Sequence, residues 1–522
     1  MTLLSALSLL APAPLLAVAA LAALRSGRRP GLLPVVAEAS TIVSLLLAGL
    51  GLWQTVAAGA TDTVVTFGPL ALEQDILSAT MLLLVSFVGW VVVRYSRTYV
   101  DGEEREGAFH GYILLTLATV MLLVKAGNIV TLVLAFAAVG HGLGKLLLFY
   151  PGRPEARRAA TKFSLIWGAA DGLLVFAAIL FWVSFGTVDF TAMSTAAASE
   201  TSFTAHAAVL LLVMAVLLKT AAFPLHGWLT EVMEAPTPVS ALLHAGIINA
   251  GGFVLIRMAD VVQASPIAMA VLVLAGGFTA LFGAMVMLTQ SAVKTALAWS
   301  TISQMGFMLL QCGLGLWALA LLHIIAHSLY KAHAFLSSGG AVATVQQTRR
   351  PGPVAAPSLM AVVKSFGLAL CLYGLVALAF TLAVGPKSPQ ALALGTILVF
   401  GVAYLVAQGL AGAAPKALMI RTVAASVAAA VSYFSFHILA GALWGSALPQ
   451  APLAGPLEWC LLALAIASFG LVAFAQSLFP LWAHHPATAG WRVHFANGLY
   501  LNAILDRLIG GFKLSQPQSS SN

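Results

Sequence analysis

The chain has 522 residues, of which 61% are hydrophobic and only 8% are charged. Because an ordinary soluble domain carries about 25% charged residues, this composition excludes a water-soluble protein and predicts that lipid surrounds most of the chain. The formal net charge of +8 does not indicate a nucleic-acid partner, since an excess of Lys and Arg in a membrane protein orients its cytoplasmic loops.

Apolar segments of the length that spans a bilayer, about 20 residues each, recur from Leu3 to Pro480. They predict an all-α, polytopic transmembrane helix bundle of about 15 spans. The first segment, residues 3–24, is followed rather than preceded by basic residues, so we expect a retained span and not a secretory signal. The predicted spans are centred near residues 13, 45, 87, 116, 139, 174, 213, 248, 277, 304, 328, 372, 401, 431 and 469.

Charged loops predict the orientation of these spans. Basic residues follow the odd-numbered spans, whereas the loops after spans 2 and 6 carry acidic residues and no Lys or Arg. By the positive-inside rule we expect the N-terminus outside and the C-terminus in the cytoplasm. Arg257 and Lys387 do not follow the pattern. The basic residues after odd-numbered spans are Arg25, Arg28, Arg29, Arg94, Arg97, Arg105, Arg153, Arg157, Arg158, Lys162, Arg349, Arg350 and Lys416.

Two regions are predicted: a transmembrane domain over residues 1–485 and a cytoplasmic C-terminal segment over residues 486–522. Apolar residues at helical spacing in the second region predict an amphipathic helix on the membrane surface or against a partner. A polar, disordered tail from Ser515 to Asn522 is expected to follow. The apolar residues of the helix are Leu501, Ile504, Leu505, Leu508 and Ile509.

Span 7 places Lys219 at the end of a long apolar run, five residues before Pro224. Proline removes a backbone donor and clashes with the preceding turn, so a broken helix is expected near Pro224. Irregular backbone at membrane depth is tolerated beside a cavity or inside protein, which makes Lys219 a candidate ion-path residue. Asp171 in span 6 is its expected partner. The alternative is a purely structural Lys–Asp pair.

Span 11 carries His323, His327 and Lys331 at positions i, i+4 and i+8. The three side chains therefore lie on one helix face, about 6 Å apart, a spacing that suits a water-assisted proton relay. Histidine accepts and donates protons near neutral pH. A zinc site is not predicted, because position 324 is Ile and the H-E-x-x-H motif is absent. The alternative is a polar seam that only packs helices together.

Other polar residues inside or beside the spans are weaker candidates. His244 in span 8 and Lys294 near the start of span 10 are predicted to extend the path, although a satisfied core histidine and a lysine that snorkels to the interface are the alternatives. Possible accessory residues are His141, Lys145, His226, Glu234 and Asn249.

No cofactor or metal site is predicted in this chain, and the chain is not expected to be an enzyme. The cysteines are far apart in apolar surroundings, which indicates buried core residues rather than a disulfide or metal cluster. Gly140 and Gly144, beside Lys145, are one residue short of a phosphate-loop spacing and are predicted to pack helices closely. The three cysteines are Cys312, Cys371 and Cys460.

Three motifs identify a family. FPLHGWLTEVMEAPTPVSALLHA after Lys219, AWSTISQMGF from Ala298 to Phe307, and RYSRTYV near Tyr99 resemble the proton-pumping subunits of respiratory complex I and the Mrp-type antiporters. The resemblance implies two inverted five-helix repeats, each with a broken helix that carries a central charge. It also implies that Lys219 is the broken-helix lysine of the first repeat. The implied central polar axis is His244, Lys294, His323, His327 and Lys331.

The chain departs from the pump subunits at several motif positions. Their Trp-Glu pair in span 5 is replaced by Phe136 and Ala137, so Asp171 is left as the expected partner of Lys219. The aspartate two residues before Lys294 is Ala292. Their late Gly-Phe-Ser-Lys-Asp signature, which supplies a second broken-helix lysine, has no match after residue 350, and their long lateral helix is absent.

The runs LLLFYPGRPEARRAATKF, HAGIINAGGFVLIR and NGLYLN resemble the DabB branch more narrowly. Its members are cation-conducting inner (plasma) membrane subunits of bacterial inorganic-carbon accumulation complexes. The resemblance implies a cytoplasmic zinc partner, DabA, similar to β-carbonic anhydrases, and an H+ or Na+ gradient that drives CO2 hydration to bicarbonate. The alternatives are a complex I or Mrp-type antiporter subunit and a non-conducting membrane anchor.

Overall fold

The computed structural model describes residues 8–57, 63–199, 202–340, 358–409, 416–482 and 485–508. The expected disordered tail, Ser515 to Asn522, lies outside these residues. The N-terminal helices are α1 (Ala13–Ala23), α2 (Leu33–Ala57), α3 (Ile76–Tyr99), α4 (Glu106–Val124), α5 (Ile129–Leu147), α6 (Pro154–Phe185) and the short α7 (Phe190–Ser199).

The central helices surround the break at Pro224, and most of the C-terminal helices are long. The central ones are α8 (Phe203–Lys219), α9 (Gly227–Glu231), α10 (Thr237–Ala245), α11 (Ala250–Arg257), α12 (Ala259–Gln263), α13 (Pro266–Met287), α14 (Val293–Gly313) and α15 (Trp317–Leu336). The C-terminal ones are α16 (Leu359–Val384), α17 (Pro389–Gly409), α18 (Lys416–Trp444), α19 (Pro456–Ser477), α20 (Phe479–Trp482), α21 (Ala489–Ala496) and α22 (Leu501–Leu508).

The chain is a multi-pass membrane protein. Among the described residues, 11 helices are long and apolar enough to cross a bilayer, and three shorter apolar helices accompany them. One of the 11 is α10 and α11 taken together, joined through a 3-10 turn at Ile247–Asn249. The more polar α14 occupies the one remaining predicted position. The all-α class and the predicted series of spans are therefore confirmed.

A small β-hairpin, which the sequence analysis did not predict, separates α2 from α3. Strand β1 (Thr63–Phe67) pairs antiparallel with β2 (Leu70–Gln74). A bridge between Leu72 and Ala126 attaches the hairpin to the α4–α5 connection. We call this side of the bundle the hairpin face, and the side where α3 ends and α6 begins the basic face.

Arg257 breaks the predicted charge pattern because it is neutralised inside the protein. It ends α11 on the hairpin face, where its guanidinium forms buried ion pairs with Glu73 and Asp75. Burial alone would raise the pKa of Asp75, but the Arg257 charge and hydrogen bonds from Ser78 hold that pKa below its ordinary value. The Asp75 side chain also accepts a hydrogen bond from the Ser78 amide and so caps α3.

Replacing Arg257 with Ala is expected to destabilise the fold by about 3–5 kcal/mol, because it removes the guanidinium that pairs with two buried carboxylates. The measurement is the melting temperature of the detergent-purified chain. Lys364→Ala, at an exposed position of α16, is the control and should melt like the wild type. An unchanged melting temperature for Arg257→Ala would show that the network contributes little.

One prediction about side-chain placement is corrected. Cys312 is buried, but Cys371 and Cys460 are exposed, because their positions on α16 and α19 face away from the bundle. The helix α22 forms as predicted, and its partly buried Leu505 packs against the core. Asp506 is buried, whereas Ile504 and Leu508 are exposed.

The described helices after residue 358 contain no interruption of the kind found near Pro224. In particular α16, with its 26 residues, runs continuously from Leu359 to Val384. This agrees with the missing second-lysine signature. The inner side of the bundle is therefore asymmetric, with one broken helix of the Lys219 type in the part of the chain that the structure describes.

Candidate functional site

The span that carries Lys219 is broken directly after it. Helix α8 ends at Lys219, and α9 begins at Gly227. Pro224 cannot donate a backbone hydrogen bond, and Ala221 adopts a left-handed backbone with φ of 53°. The break predicted near Pro224 is therefore confirmed.

Side chains satisfy backbone groups that the break releases. The Trp228 indole donates to the Leu218 carbonyl oxygen at 3.1 Å, and the Phe223 amide donates to the Thr279 hydroxyl at 3.1 Å. Such partners are required where irregular backbone lies at membrane depth. These hydrogen bonds stabilise the irregular backbone of the break, and the break fixes the position of Lys219.

Lys219 is buried and paired as the sequence predicted. Its Nζ lies 2.6 Å from Asp171 Oδ1 on α6. The same ammonium lies 4.3 Å from the centre of the Phe136 ring and 4.1 Å from that of Trp167, so cation–π contacts hold it from two further sides. A carboxylate and two ring faces together can stabilise a cation at this depth.

Phe136 and Ala137, which stand where the pump subunits have a Trp-Glu pair, face different sides of α5. Phe136 packs against Lys219, whereas Ala137 is exposed on the outer side of α5. A glutamate at position 137 would therefore point away from Lys219. In this chain the carboxylate partner of Lys219 comes from α6 instead.

His244 and Asn249 form the polar interior of the α10–α11 span. His244 Nδ1 lies 3.1 Å from the Thr301 hydroxyl, and the ring stacks on Phe335 with centroids 4.3 Å apart. The Asn249 amide donates to the Ser328 hydroxyl at 2.9 Å. These contacts join the span to α14 and α15, where the other predicted path residues lie.

The relay predicted on α15 has the expected geometry. The rings of His323 and His327 are 6.1 Å apart between centroids, and His323 Nδ1 lies 2.8 Å from Gln311 Oε1. Lys331 is fully buried, and its Nζ donates to the Ser300 hydroxyl at 2.8 Å. Within the described residues Lys331 has neutral oxygen partners, in contrast to the carboxylate that holds Lys219.

A cavity of about 750 Å³ lies beside the two histidines of α15. It is bounded by α14, α15, α17 and α18. Its volume is large enough for several waters, at about 30 Å³ each in the liquid, and apolar side chains form most of its exposed wall. The polar side chains in its wall are Ser300, Gln304, Gln311, His323, Tyr330, Ser432, Tyr433 and His327.

Three of the weaker candidates, Lys294, His226 and Glu234, differ in how deeply they are buried. Lys294 is half-buried and donates to the Thr237 hydroxyl at 3.0 Å, near the basic face. His226 is buried, with its ring 4.8 Å from that of Trp299. Glu234 is exposed, 3.7 Å from Arg153.

His141 and Lys145 do not join the buried path. Both are exposed on the outer side of α5, because they are four residues apart and so share a helix face. The inward face of α5 carries Phe136 and Gly140, and Gly140 packs closely against Trp167. Close helix packing at Gly140 is therefore confirmed.

A second buried charge cluster was missed by the sequence analysis. Lys162 was assigned to a basic loop, but it lies within α6 and is fully buried. Its Nζ lies 2.5 Å from Glu231, 2.5 Å from Asp506 and 2.6 Å from the Asn502 side-chain oxygen. Lys162 lies about two turns after the start of the observed α6, and its partners are too far away in the sequence to be paired by pattern.

Comparison with known proteins agrees with this geometry. Residues 126–383 match the family model for the transmembrane region of NADH:quinone oxidoreductase and Mrp antiporters, and residues 68–110 match that for the N-terminus of NADH-ubiquinone oxidoreductase (complex I) chain 5. Among solved structures, a chain in the structure of the Mrp complex from Dietzia sp. DQ12-45-1b shares the fold. It has a TM-score of 0.63 at 23% identity and covers 99% of this chain and 60% of that chain.

Two relatives are named as inorganic carbon transporter subunits. A probable subunit DabB2 from Halothiobacillus neapolitanus is 37% identical over 467 residues, which cover 87% of this chain and 83% of that protein. A probable subunit DabB from Hydrogenovibrio crunogenus is 42% identical over 286 residues, which cover 54% of this chain and 55% of that protein. The chain therefore belongs to the family of DabB inorganic carbon transporter subunits, within the complex I and Mrp antiporter membrane proteins.

Proposed function

We propose that this chain is the cation-conducting membrane subunit of a two-component inorganic-carbon accumulation complex. The observation that carries the proposal is the buried Lys219 beside a broken span, with its Nζ 2.6 Å from Oδ1 of the partly exposed Asp171. A charge pair that only packed helices would not need an interrupted span beside it. The names of the two relatives supply the carbon-transport context.

H+ is the preferred ion. The path residues are lysines and histidines, which take up and release protons, and Na+ would need a cluster of oxygen ligands instead. On this proposal a proton moves between Lys219 and His244, and then along Lys331, His327 and His323 with water from the adjoining cavity. The N-terminus lies outside the inner membrane and the C-terminus in the cytoplasm.

The partner is proposed to be a DabA-like cytoplasmic zinc protein resembling a β-carbonic anhydrase. CO2 hydration to bicarbonate would occur on that partner, and this subunit would couple the ion gradient to it. The basic face, with its Arg-rich loops and the C-terminal segment, offers the cytoplasmic surface on which such a protein would bind.

Co-purification from native membranes tests the assignment. A tagged full-length chain is expected to bring down one large soluble protein that contains stoichiometric zinc by elemental analysis. Uptake of labelled inorganic carbon by the same cells should collapse with a protonophore and persist with a sodium ionophore. Recovery of quinone oxidoreductase or Mrp subunits instead would replace this proposal with a respiratory or antiporter role.

A further inference from the structure

The Lys162 cluster joins three distant parts of the chain. Lys162 belongs to α6, Glu231 ends α9 directly after the broken span, and Asn502 and Asp506 belong to α22. The Asn502 amide also donates to Glu231 at 2.6 Å. The two carboxylates and one amide oxygen thus surround a single buried ammonium at the basic face.

This cluster orients α22 together with the partly buried Leu505, which packs against the core. Asp506 is 5% exposed, whereas Ile504 and Leu508 are 53% and 79% exposed. An amphipathic helix that docked by the hydrophobic effect alone would show the reverse arrangement. Charges at such depth are retained when they are paired, and they specify one geometry.

The segment from Ala489 to Leu508, which we call the cap, also covers the break itself. A Cβ at Gly498 would lie 3.2 Å from the Trp299 ring and 3.8 Å from His226 Nε2, so the backbone lies directly on these side chains. Gly227 at the start of α9 contacts Asn502 in the same way. The cap therefore lies over the stretch that connects Lys219 with the basic face.

Aromatic rings pack around His226 in the part of the break that lies beneath the cap. His226 is surrounded by Phe223, Phe282 and Trp299, with ring centroids 4.8 to 5.9 Å away. Its Nδ1 has no hydrogen-bond partner among the described residues. Aromatic walls around a polar ring leave little room for water between Lys219 and the basic face while the cap is in place.

We propose that Lys162, Glu231 and Asp506 are positioning residues that hold the cap closed over the basic-face end of the Lys219 path. The proposal rests on the proposed ion conduction through Lys219. Ion exchange between Lys219 and the basic face then requires the cap to move away. A molecule that moves the cap would contact the exposed side of α22. Weakening the cluster shifts the cap toward its open position and raises ion flux.

Two substitutions lift the cap in independent ways. Asp506→Asn removes one carboxylate from Lys162, and Arg507→Gln at the exposed neighbouring position is its control. Gly498→Ala adds a Cβ where φ is +56° and the Trp299 ring is 3.2 Å away, whereas Gly490→Ala adds one with nothing within 4 Å. Each test variant thus has a control on the same segment.

The measurement is the initial rate of proton flux into proteoliposomes that contain the full-length chain and an entrapped pH-sensitive dye. We expect Asp506→Asn and Gly498→Ala to raise the rate about tenfold, the change that a shift of about 1.4 kcal/mol in the cap equilibrium produces. The two controls should match the wild type. Adding Lys219→Ala to either test variant should abolish the gain.

The outcomes separate the cap from the conduit. Wild-type flux in both Asp506→Asn and Gly498→Ala, together with loss of flux in Lys219→Ala, would overturn the cap and keep the conduit. Flux that does not depend on Lys219 in any variant overturns the conduit and the cap with it. If Asp506→Asn does not fold, the flux of Gly498→Ala alone tests the cap, because this substitution leaves every charge of the cluster in place.

Discussion

Lys219→Ala is expected to reduce proton flux through the reconstituted chain at least about tenfold, which corresponds to a barrier higher by about 1.4 kcal/mol. The substitution removes the titratable group beside the break and leaves the Asp171 carboxylate without its cation. A proton crossing the interior would then meet an uncompensated charge and a gap in the path. The measurement is dye-reported flux in proteoliposomes under an imposed membrane potential.

Lys145→Ala is the matched control for this substitution. Lys145 is a lysine of the neighbouring helix α5, but it is exposed on the outer side of the bundle. Its removal should leave flux unchanged. Equal flux in wild type, Lys219→Ala and Lys145→Ala at equal protein levels would contradict the conduit and favour a membrane anchor.

His327→Ala is expected to lower flux by a similar factor of about ten. His327 lies midway between His323 and Lys331 on α15, and its removal leaves these two titratable residues eight positions, or about 12 Å of helix, apart. Both ring nitrogens of His327 are buried and lack a hydrogen-bond partner among the described residues, so the ring makes no fixed hydrogen bond that would hold its proton in place. A transfer over 12 Å without a carrier is far slower than two transfers of about 6 Å.

Two further variants separate a relay from a packing role. His333→Ala removes an exposed histidine from the same helix and should not change flux. His327→Gln keeps a polar side chain of similar reach that cannot carry a proton, so it should be as inactive as His327→Ala. Full flux in His327→Gln would show that position 327 needs polarity rather than proton exchange.

The sequence alone determined the class of the protein and much of its interior. Fifteen apolar segments and their alternating charged loops specify a helix bundle, because a bilayer requires each span to satisfy its own backbone. The helical period places His323, His327 and Lys331 on one face without further information. Pro224 predicts the break, because a proline lacks the amide that a continuous helix needs.

The environment of Lys219 could be predicted from the sequence only in part. The sequence predicts the Lys219–Asp171 pair from the carboxylate in the neighbouring span, and the resemblance to the pump subunits leaves Asp171 as the expected partner; in the structure the two groups lie 2.6 Å apart. The cation–π contact between Lys219 and Phe136 was not predicted, because it depends on how α5 packs against the end of α8. The role of the pair in transport stays a prediction.

Only the tertiary structure decided which distant charges meet. Lys162 and Asp506 are separated by most of the chain, and Arg257 meets Asp75 from another span. Sequence patterns report the period of a single helix, whereas these pairs depend on how helices pack and which way the C-terminal segment returns. For the same reason the sequence predicts that α22 is amphipathic, but only the folded chain shows that its Asp506 meets the buried Lys162 ammonium. A buried cation requires a partner, and the carboxylates that pair with Lys162 lie on elements that only the packing of the chain brings together.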